Sequence, residues 1–210
     1  MSYLTLSPGD LTAELEVKRS RFVAVVRRID DEHAAQQLVA EQRKLHHTAG
    51  HHCSAFVVGP DQALVRAQDD GEPAGTAGLP MLNTLTGERL SDVAAVVTRY
   101  FGGTLLGAGG LARAYGGAVS AALDGAVRVL RSRQALFRIE APHTDAGHLE
   151  SILRSRGVLI RDVDYGTDVV LTVAVGADRA GELSSLLASA TGGACLASPA
   201  GSDWVDETVR

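Results

Sequence analysis

In the last third of the chain, the spacing of hydrophobic residues changes several times between the two-residue period of a strand and the 3.6-residue period of a helix. The predicted elements are a strand over 135–141, a helix over about 144–156, strands over 158–165 and 169–175, a helix over about 178–190 and a weaker strand over 194–204. A two-residue period favours a half-buried strand, and a 3.6-residue period favours an amphipathic helix. The resulting β-α-β-β-α-β order is typical of a ferredoxin-like domain.

The first two thirds of the chain predict a mixed α/β domain. The predicted elements are strands over 11–17, 21–29, 53–58, 63–67 and 93–97, and helices over about 31–45, 76–85 and 110–130. The last helix keeps the helical period through Leu130, although Gly116 and Gly117 lie inside it. The whole chain is therefore predicted to be α+β, with one domain over 1–132 and a second over 135–210.

Composition places the chain among globular proteins, with 45% hydrophobic and 21% charged residues. No apolar run approaches the length of a membrane-spanning helix, and the first ten residues lack the pattern of a secretory signal. Two cysteines, Cys53 and Cys195, are too few for a disulfide framework. We therefore expect a cytoplasmic protein with no membrane partner.

Charge is distributed unevenly between the two predicted domains. Residues 1–134 hold 14 basic and 14 acidic residues, and residues 135–210 hold 6 basic and 11 acidic residues, which carry the net charge of −5. Overall attraction to nucleic acid is therefore not indicated, although a local basic face remains open.

A glycine-rich segment over 98–113 follows a predicted strand and leads into a predicted helix. Glycines let backbone N–H groups converge, and a helix N-terminus carries about half a positive charge, so the segment predicts a site for an anion such as a phosphate or nucleic acid. The candidate residues are Arg99, Gly102, Gly103, Gly107, Gly109, Gly110 and Arg113. The alternative is close packing of helix on strand with no ligand. The ending of a P-loop is absent, and the spacing does not favour a dinucleotide site.

A second candidate segment, 68–78, holds three carboxylates within four positions. Asp69, Asp70 and Glu72 could bind Mg²⁺ or transfer protons, and Thr76 opens a short glycine-containing stretch before a helix. The alternative is a solvated turn with Thr76 as an ordinary helix cap.

The third candidate segment contains four of the seven histidines, at 46, 47, 51 and 52, followed by Cys53. A zinc site needs three or four converging ligands, usually from two separated segments, and no second Cys/His pair exists. No metal is therefore assigned, and Cys53 is interpreted as a small buried residue. His47, His51 and His52, with Asp69, Asp70, Glu72 and Thr76, form the candidate ligand cleft.

Basic residues also gather between positions 18 and 28, at Lys18, Arg19, Arg21, Arg27 and Arg28. They offer limited support for a nucleic-acid surface. Aromatic residues make up only 4% of the chain, which does not favour a base-stacking platform.

Four separated motifs together resemble the YigZ/IMPACT family. They are Lys18-x-Ser20-x-Phe22, His47-x-Ala49-x-His51-His52-Cys53, the run Asp69-Asp70-Gly71-Glu72-Pro73-x-Gly75-Thr76-Ala77-Gly78-x-Pro80, and the run Val97-Thr98-Arg99-Tyr100-Phe101-Gly102-Gly103 with Leu106-Gly107-x-Gly109-Gly110-Leu111-x-Arg113-Ala114-Tyr115. The resemblance covers about residues 1–130 by motif and the remainder by element order.

The resemblance implies a two-layer α/β N-terminal domain, like those of ribonuclease PH and a ribosomal protein, and a ferredoxin-like C-terminal domain. It also implies a cytosolic protein without an established reaction and a link to translation or RNA. The leading hypothesis is a non-enzymatic protein that binds RNA or a ribosome-associated partner, with no cofactor and no catalytic residue assigned.

The alternative hypothesis is an enzyme or small-ligand protein that acts on a phosphorylated metabolite or nucleotide. Convergence of His51, Asp70, Glu72 and Arg99 in one cleft would favour that alternative. A scaffold that binds a protein partner through the sheet of its second domain is a third hypothesis.

Overall fold

The computed structural model describes residues 1–208, which form two compact units. The first comprises Met1–Leu130 with the end of the described chain from Glu207, and the second comprises Arg131–Asp206. The side chains of residues 177 and 208 are not described, and residues 209 and 210 of the predicted C-terminal domain lie outside the described residues.

The N-terminal unit is built on an antiparallel sheet with the strand order β2-β3-β6-β4-β5. Its elements are β1 (Ser2–Leu6), β2 (Asp10–Val17), β3 (Ser20–Arg28), α1 (Glu32–Leu45), β4 (His51–Val58), β5 (Leu64–Gln68), α2 (Gly78–Gly87), β6 (Val93–Tyr100) and α3 (Ala108–Leu123). β6 lies at the centre, and its almost continuous burial explains its run of apolar residues.

Helices cover both faces of this sheet. Phe22, Ala24 and Val26 pack with α2 and α3 on one face, whereas Val25 packs with α1 on the other, because alternate strand residues point to opposite faces. The expected two layers are thus the sheet with α2 and α3, and α1 adds a partial third layer.

The C-terminal unit confirms the predicted β-α-β-β-α-β order. Its elements are β7 (Arg128–Ala141), α4 (His143–Ser155), β8 (Leu159–Tyr165), β9 (Val169–Val175), α5 (Ala180–Thr191) and β10 (Ala197–Thr208). β9 pairs with β7 and β8, and β10 pairs with β7, so the order across the sheet is β10-β7-β9-β8. Alternate residues such as Ile139 and Leu171 form one core with Leu149, Leu153 and Leu183 of the helices.

Several predicted boundaries in the N-terminal unit are wrong. The helix predicted to run to Leu130 ends at Leu123, because Gly125 takes a left-handed conformation (φ +72°) and β7 then begins at Arg128. Thr76 does not cap α2, which begins at Gly78, and its hydroxyl donates to the Pro73 carbonyl instead. β1, which no pattern predicted, is held by a parallel bridge to the residues that precede β6.

Within the described residues, no helix is long and apolar enough to cross a membrane.

Candidate functional site

The three candidate segments of the N-terminal unit meet at one end of its sheet, here called the loop end. β3 begins there at Ser20, β4 begins there at His51 and β6 ends there at Tyr100. Antiparallel pairing places Arg21 opposite Tyr100 and His51 opposite Arg99. The loops that lead into α2 and α3 therefore start from the same end as the histidine segment.

Glu72 is the centre of a buried polar network at the loop end. Its Oε1 accepts a hydrogen bond from Arg99 Nη1 at 2.7 Å and another from the Tyr115 hydroxyl at 2.7 Å. The Glu72 and Arg99 side chains are only 3% and 6% exposed. Loss of one partner of such a pair leaves the other charge buried and uncompensated, so the network fixes its members firmly.

Ser20 connects this network to the glycine-rich loop. Its buried Oγ accepts hydrogen bonds from Arg99 Nη2 at 3.3 Å and from the Gly102 N–H at 3.1 Å. A Cβ at position 102 would lie 2.1 Å from the backbone carbonyl carbon of Arg19. Only glycine allows this approach, so the loop rests directly on the turn between β2 and β3.

His51 lies at the partly exposed edge of the network. Its Nδ1 is 2.9 Å from the Asp70 carbonyl oxygen. Because a carbonyl only accepts, Nδ1 carries the proton and Nε2 faces Glu72 Oε1 at 3.9 Å. The Asp70 carboxylate is occupied by the His52 N–H at 2.6 Å and by Arg43 at 2.5 Å.

Asp69 caps the start of α2 through its side chain. It accepts backbone N–H bonds from Gly75, Ala77 and Gly78 at 2.8, 3.0 and 2.8 Å. Burial alone would raise the pKa of Asp69, but the three N–H donors together outweigh it and hold the pKa below its usual range. The carboxylates of Asp69 and Asp70 thus both have partners within the protein. Among residues 1–208, no group of three or more His, Cys, Asp or Glu side chains is arranged to hold a metal ion.

Three buried groups at the loop end are held in their neutral forms. Burial raises the pKa of the Cys53 thiol to about 12, and the thiol donates to the Asp69 carbonyl. Burial also raises the pKa of the Tyr115 hydroxyl, which therefore remains a donor. Burial lowers the pKa of His52, whose Nε2 lies 3.2 Å from the His46 carbonyl. Cys53 is thus unsuited to act as a nucleophile, because the thiolate is the reactive form.

The turn between β2 and β3 carries exposed cationic side chains at the loop end and has an unusual backbone conformation. β2 and β3 are joined by two residues, Lys18 and Arg19, with φ of +48° and +67°. Two-residue hairpins with both φ values positive normally use Asn-Gly or a similar pair. Arg19 Nη2 donates to the Thr104 hydroxyl at 3.1 Å, so its side chain follows the glycine-rich loop.

The glycine-rich loop presents apolar side chains and an uncapped helix start. Phe101 and Leu105 are 58% and 83% exposed. α3 begins at Ala108 after Gly107, which has φ +73°, and no side chain caps it. Gly103 and Gly107 have positive φ, and Gly109 and Gly110 lie in the first turn of α3, followed by the exposed Arg113.

The structure brings together some candidate residues and separates others. His51, Glu72 and Arg99 lie in one network, with Asp69 and Asp70 beside it. His47 is exposed and Thr76 bonds only to its own loop. Arg99 points under the glycine-rich loop towards Glu72, so its contact with an anion stays a prediction.

Sequence reasoning named Ser20 and Tyr115 only within the family motifs and did not assign these two members of the network to the candidate site. Tyr115 lies on the buried face of α3, next to Ala114 and one turn from Leu111. A tyrosine on an apolar helix face needs a partner for its hydroxyl, and that need is the signal that could have found it.

Comparison with known proteins supports the same organisation. The family model described as the Impact N-terminal domain matches residues 18–123, and a domain of unknown function, DUF1949, matches residues 139–194. The IMPACT family member YvyE of Bacillus subtilis (strain 168) is 42% identical over 168 residues, which cover 80% of this chain and 77% of the relative. YigZ of Escherichia coli (strain K12) is 38% identical over 180 residues, which cover 85% and 88%.

A solved structure described as a crystal structure of a hypothetical protein is 37% identical and covers 93% of this chain and 96% of its own, with a TM-score of 0.63. The sequence relatives and the two family models agree over both units of the described chain. The chain belongs to the IMPACT family.

Proposed function

We propose that the loop end of the N-terminal unit binds the phosphate backbone of RNA, and that the protein acts in translation without catalysing a reaction. The observation that carries this proposal is the turn at Lys18 and Arg19. Two cationic residues occupy a left-handed pair of positions that Asn-Gly would fill at lower energy.

Backbone strain of this kind points to a role for the side chains themselves. A left-handed conformation costs about 1–2 kcal/mol for an ordinary residue. Strained residues persist where the surrounding structure holds them, and they cluster at functional sites. Here Gly102 packs against the turn and Ser20 ties it to Arg99, so two cations are presented at a fixed place.

The acidic residues of the loop end do not neutralise these cations. Asp69 accepts three backbone N–H bonds, Asp70 pairs with Arg43 and Glu72 pairs with Arg99. Within residues 1–208, Lys18, Arg19 and Arg113 form no ion pair with an acidic side chain. Residues 1–134 hold equal numbers of basic and acidic residues, but the loop end therefore still has a local surface that attracts phosphate.

The start of α3 offers a second set of donors for phosphate. α1 is capped by the Asp31 side chain and α2 by Asp69, whereas α3 has no side-chain cap. Its first-turn N–H groups come from a glycine-rich stretch that includes Gly109 and Gly110. Uncapped N–H groups and the helix dipole suit an anion. The exposed Phe101 in the same glycine-rich loop suits a base or ribose.

The buried network supports binding rather than catalysis. Glu72 accepts hydrogen bonds from both Arg99 and Tyr115, and the Cys53 thiol is protonated. Among the described residues, no group of three or more His, Cys, Asp or Glu side chains is arranged to hold a metal ion. The convergence of His51, Glu72 and Arg99, with Asp70 beside them, favours the alternative of a small phosphorylated ligand.

The test is fluorescence anisotropy with a labelled single-stranded RNA and the full chain at low salt. The double substitution Lys18→Asn/Arg19→Gly removes both charges and relieves the turn. We expect the affinity to fall by about tenfold or more, since each lost phosphate contact removes a counterion-release contribution. Arg66→Ala, an exposed arginine on β5, is the matched control and should bind RNA like the wild type.

RNA affinity that is the same in the double variant and the wild type would overturn the proposal. Nucleotides or sugar phosphates provide the second arm of the experiment. If one of them binds and RNA does not, the small-ligand hypothesis replaces the RNA hypothesis.

A further inference from the structure

Phe101 is an exposed aromatic residue at the loop end. It directly follows β6 and is 58% exposed. The aromatic residue before it, Tyr100, already has partners. The Arg21 guanidinium carbon lies 4.5 Å from the centre of the Tyr100 ring, and the Tyr100 hydroxyl is 2.9 Å from His46 Nδ1. Of these two neighbouring rings, Phe101 is therefore the one that a ligand can reach.

Phe101 is held in place by its neighbours. The next residue, Gly102, packs directly against the backbone of Arg19. The Arg99 guanidinium carbon lies 5.5 Å from the centre of the Phe101 ring, and that guanidinium is itself bound to Glu72. A cation this close to an aromatic ring is attracted to it. The ring thus occupies a defined place, which lowers the entropic cost of ordering it when a ligand binds.

Unpaired cations lie close to this ring. The contact of Gly102 with Arg19 places Phe101 within one residue of the turn between β2 and β3. In the described part of the chain, Lys18 and Arg19 of that turn form no ion pair with an acidic side chain. An apolar ring beside cations suits a ligand that carries flat apolar groups on an anionic backbone. A single strand of nucleic acid has this chemistry, since every base has a π-face and every nucleotide has a phosphate.

A double-stranded RNA does not offer a base face to such a ring. Its bases are paired and stacked on one another, whereas the bases of single strands, loops and bulges can be splayed out and stacked on an aromatic side chain. One exposed ring accommodates one base. A single stacking position is compatible with a chain that contains only 4% aromatic residues.

We propose that the loop end binds an unpaired nucleotide, with its base stacked on Phe101 and its phosphate bound by Lys18 and Arg19. Single-stranded RNA thereby gains a contact that double-stranded RNA lacks. This inference rests on the proposed binding of phosphate at the loop end. It adds Phe101 as the residue that distinguishes unpaired from paired RNA.

The first test is fluorescence anisotropy of the full chain with a labelled single-stranded RNA and with a duplex of the same length. Phe101→Ala should weaken binding of the single strand by about fivefold or more, the range for stacking of one base on an aromatic side chain, and should leave duplex affinity unchanged. Phe101→Trp should retain the affinity for the single strand. The matched control is Tyr165→Ala, which removes a 69% exposed aromatic residue of the C-terminal unit and should bind both RNAs like the wild type.

Inorganic polyphosphate separates the role of the ring from that of the cations, because it carries phosphates without bases. Phe101→Ala should bind polyphosphate like the wild type. Lys18→Asn/Arg19→Gly should bind it more weakly, because two cations are lost. Weaker binding of polyphosphate by Phe101→Ala would show that the substitution disturbs the phosphate contacts, and would overturn the stacking role of the ring.

The outcomes for the ring and for the cations can be told apart. Single-strand affinity that is unchanged in Phe101→Ala but falls in Lys18→Asn/Arg19→Gly would overturn the inference and leave phosphate binding at the loop end supported. Affinity that falls in neither variant would overturn both proposals. An equal loss of single-strand and duplex affinity in Phe101→Ala would overturn the inference, because a duplex has no unpaired base to stack.

Discussion

The two units of this chain differ in what they bury. Eleven buried polar or charged residues lie in the N-terminal unit, and Gln134 is the one such residue in the C-terminal unit, among the residues that the structure describes. The C-terminal unit instead has one core of apolar residues from both helices and alternate strand positions. Buried polar groups are expensive unless paired, so the N-terminal unit retains them for the arrangement they enforce.

Backbone strain follows the same division. All seven non-glycine residues with positive φ lie in the N-terminal unit, and none lies in the described part of the C-terminal unit. Left-handed conformations and buried charge pairs each lower stability unless neighbouring contacts compensate them. Specific side-chain chemistry is therefore concentrated in the N-terminal unit, and the C-terminal unit is stabilised mainly by regular packing.

The largest expected effect comes from removing one partner of the buried charge pair. Glu72→Ala leaves Arg99 buried without its carboxylate and should lower the free energy of unfolding by about 3–5 kcal/mol. The matched control is Glu150→Ala, which removes the exposed pair with Arg154 in α4 and should cost less than about 0.5 kcal/mol. Urea unfolding followed by circular dichroism measures the free energy of unfolding of both variants. Equal losses in Glu72→Ala and Glu150→Ala would contradict the contrast between the units.

The second effect compares two glycines. Gly102→Ala places a Cβ against the backbone of Arg19 and should destabilise the protein by about 2 kcal/mol or more, because backbone must move. Gly147→Ala in α4 has no neighbour within 4 Å and should stabilise the protein by about 0.5–1 kcal/mol through helix propensity. The melting temperatures of the two variants should therefore shift in opposite directions. A shift in the same direction would contradict the difference in packing around the two glycines.

The third effect depends on pH. Asp69→Ala removes the cap of α2 and should cost about 1–2 kcal/mol at pH 7. Because the folded-state pKa of Asp69 is below its usual range, its contribution is present at neutral pH and disappears as the pH falls through that folded pKa. Urea titrations at pH 7 and near pH 3 should show a larger difference in the free energy of unfolding between wild type and variant at pH 7 than near pH 3.

A suitable control for that pH series is Asp145→Ala in the first turn of α4, where no side chain caps the helix. Its effect should stay within about 0.5 kcal/mol, as expected for a charge near a helix dipole. A loss in Asp69→Ala that is the same at both pH values would show that the carboxylate charge is not involved.

The smallest effect is a gain. Lys18→Asn/Arg19→Gly should raise the free energy of unfolding by about 1 kcal/mol, because asparagine and glycine adopt left-handed conformations more readily than lysine and arginine. Lys44→Asn, at the exposed end of α1, should give no such gain. Lower stability of the turn variant would mean that Lys18 and Arg19 are retained for the fold rather than for a ligand.

The C-terminal unit was predictable because each strand has one buried face. The alternation in 135–141 and the mostly apolar run in 169–175 predicted the two strands that pair in the structure, with Ile139 opposite Leu171. The helix expected to reach Leu130 shows the limit of this reasoning. Its apolar spacing continues beyond Leu123, but the left-handed Gly125 ends the helix, and spacing carries no information about φ.

The three segments that form the candidate site were predictable from the sequence, but the contacts between their residues were not. Glu72 and Arg99 are 27 positions apart, and Ser20 bonds to Gly102 across 82 positions, so periodicity could not pair them. Strand alternation did hold one clue. Arg99 is in phase with Val97 on β6, which faces the core beneath α2 and α3, and therefore points inward rather than towards solvent.

The salt dependence of RNA affinity is the most direct measure of phosphate binding at the loop end. Wild type and Lys18→Asn/Arg19→Gly would be titrated with the same single-stranded RNA over a series of salt concentrations. Loss of two phosphate contacts should reduce the slope of log affinity against log salt by about 1.4, since each contact contributes about 0.7 for a single strand. Equal slopes for the two proteins would contradict the assignment of the loop end as a phosphate-binding surface.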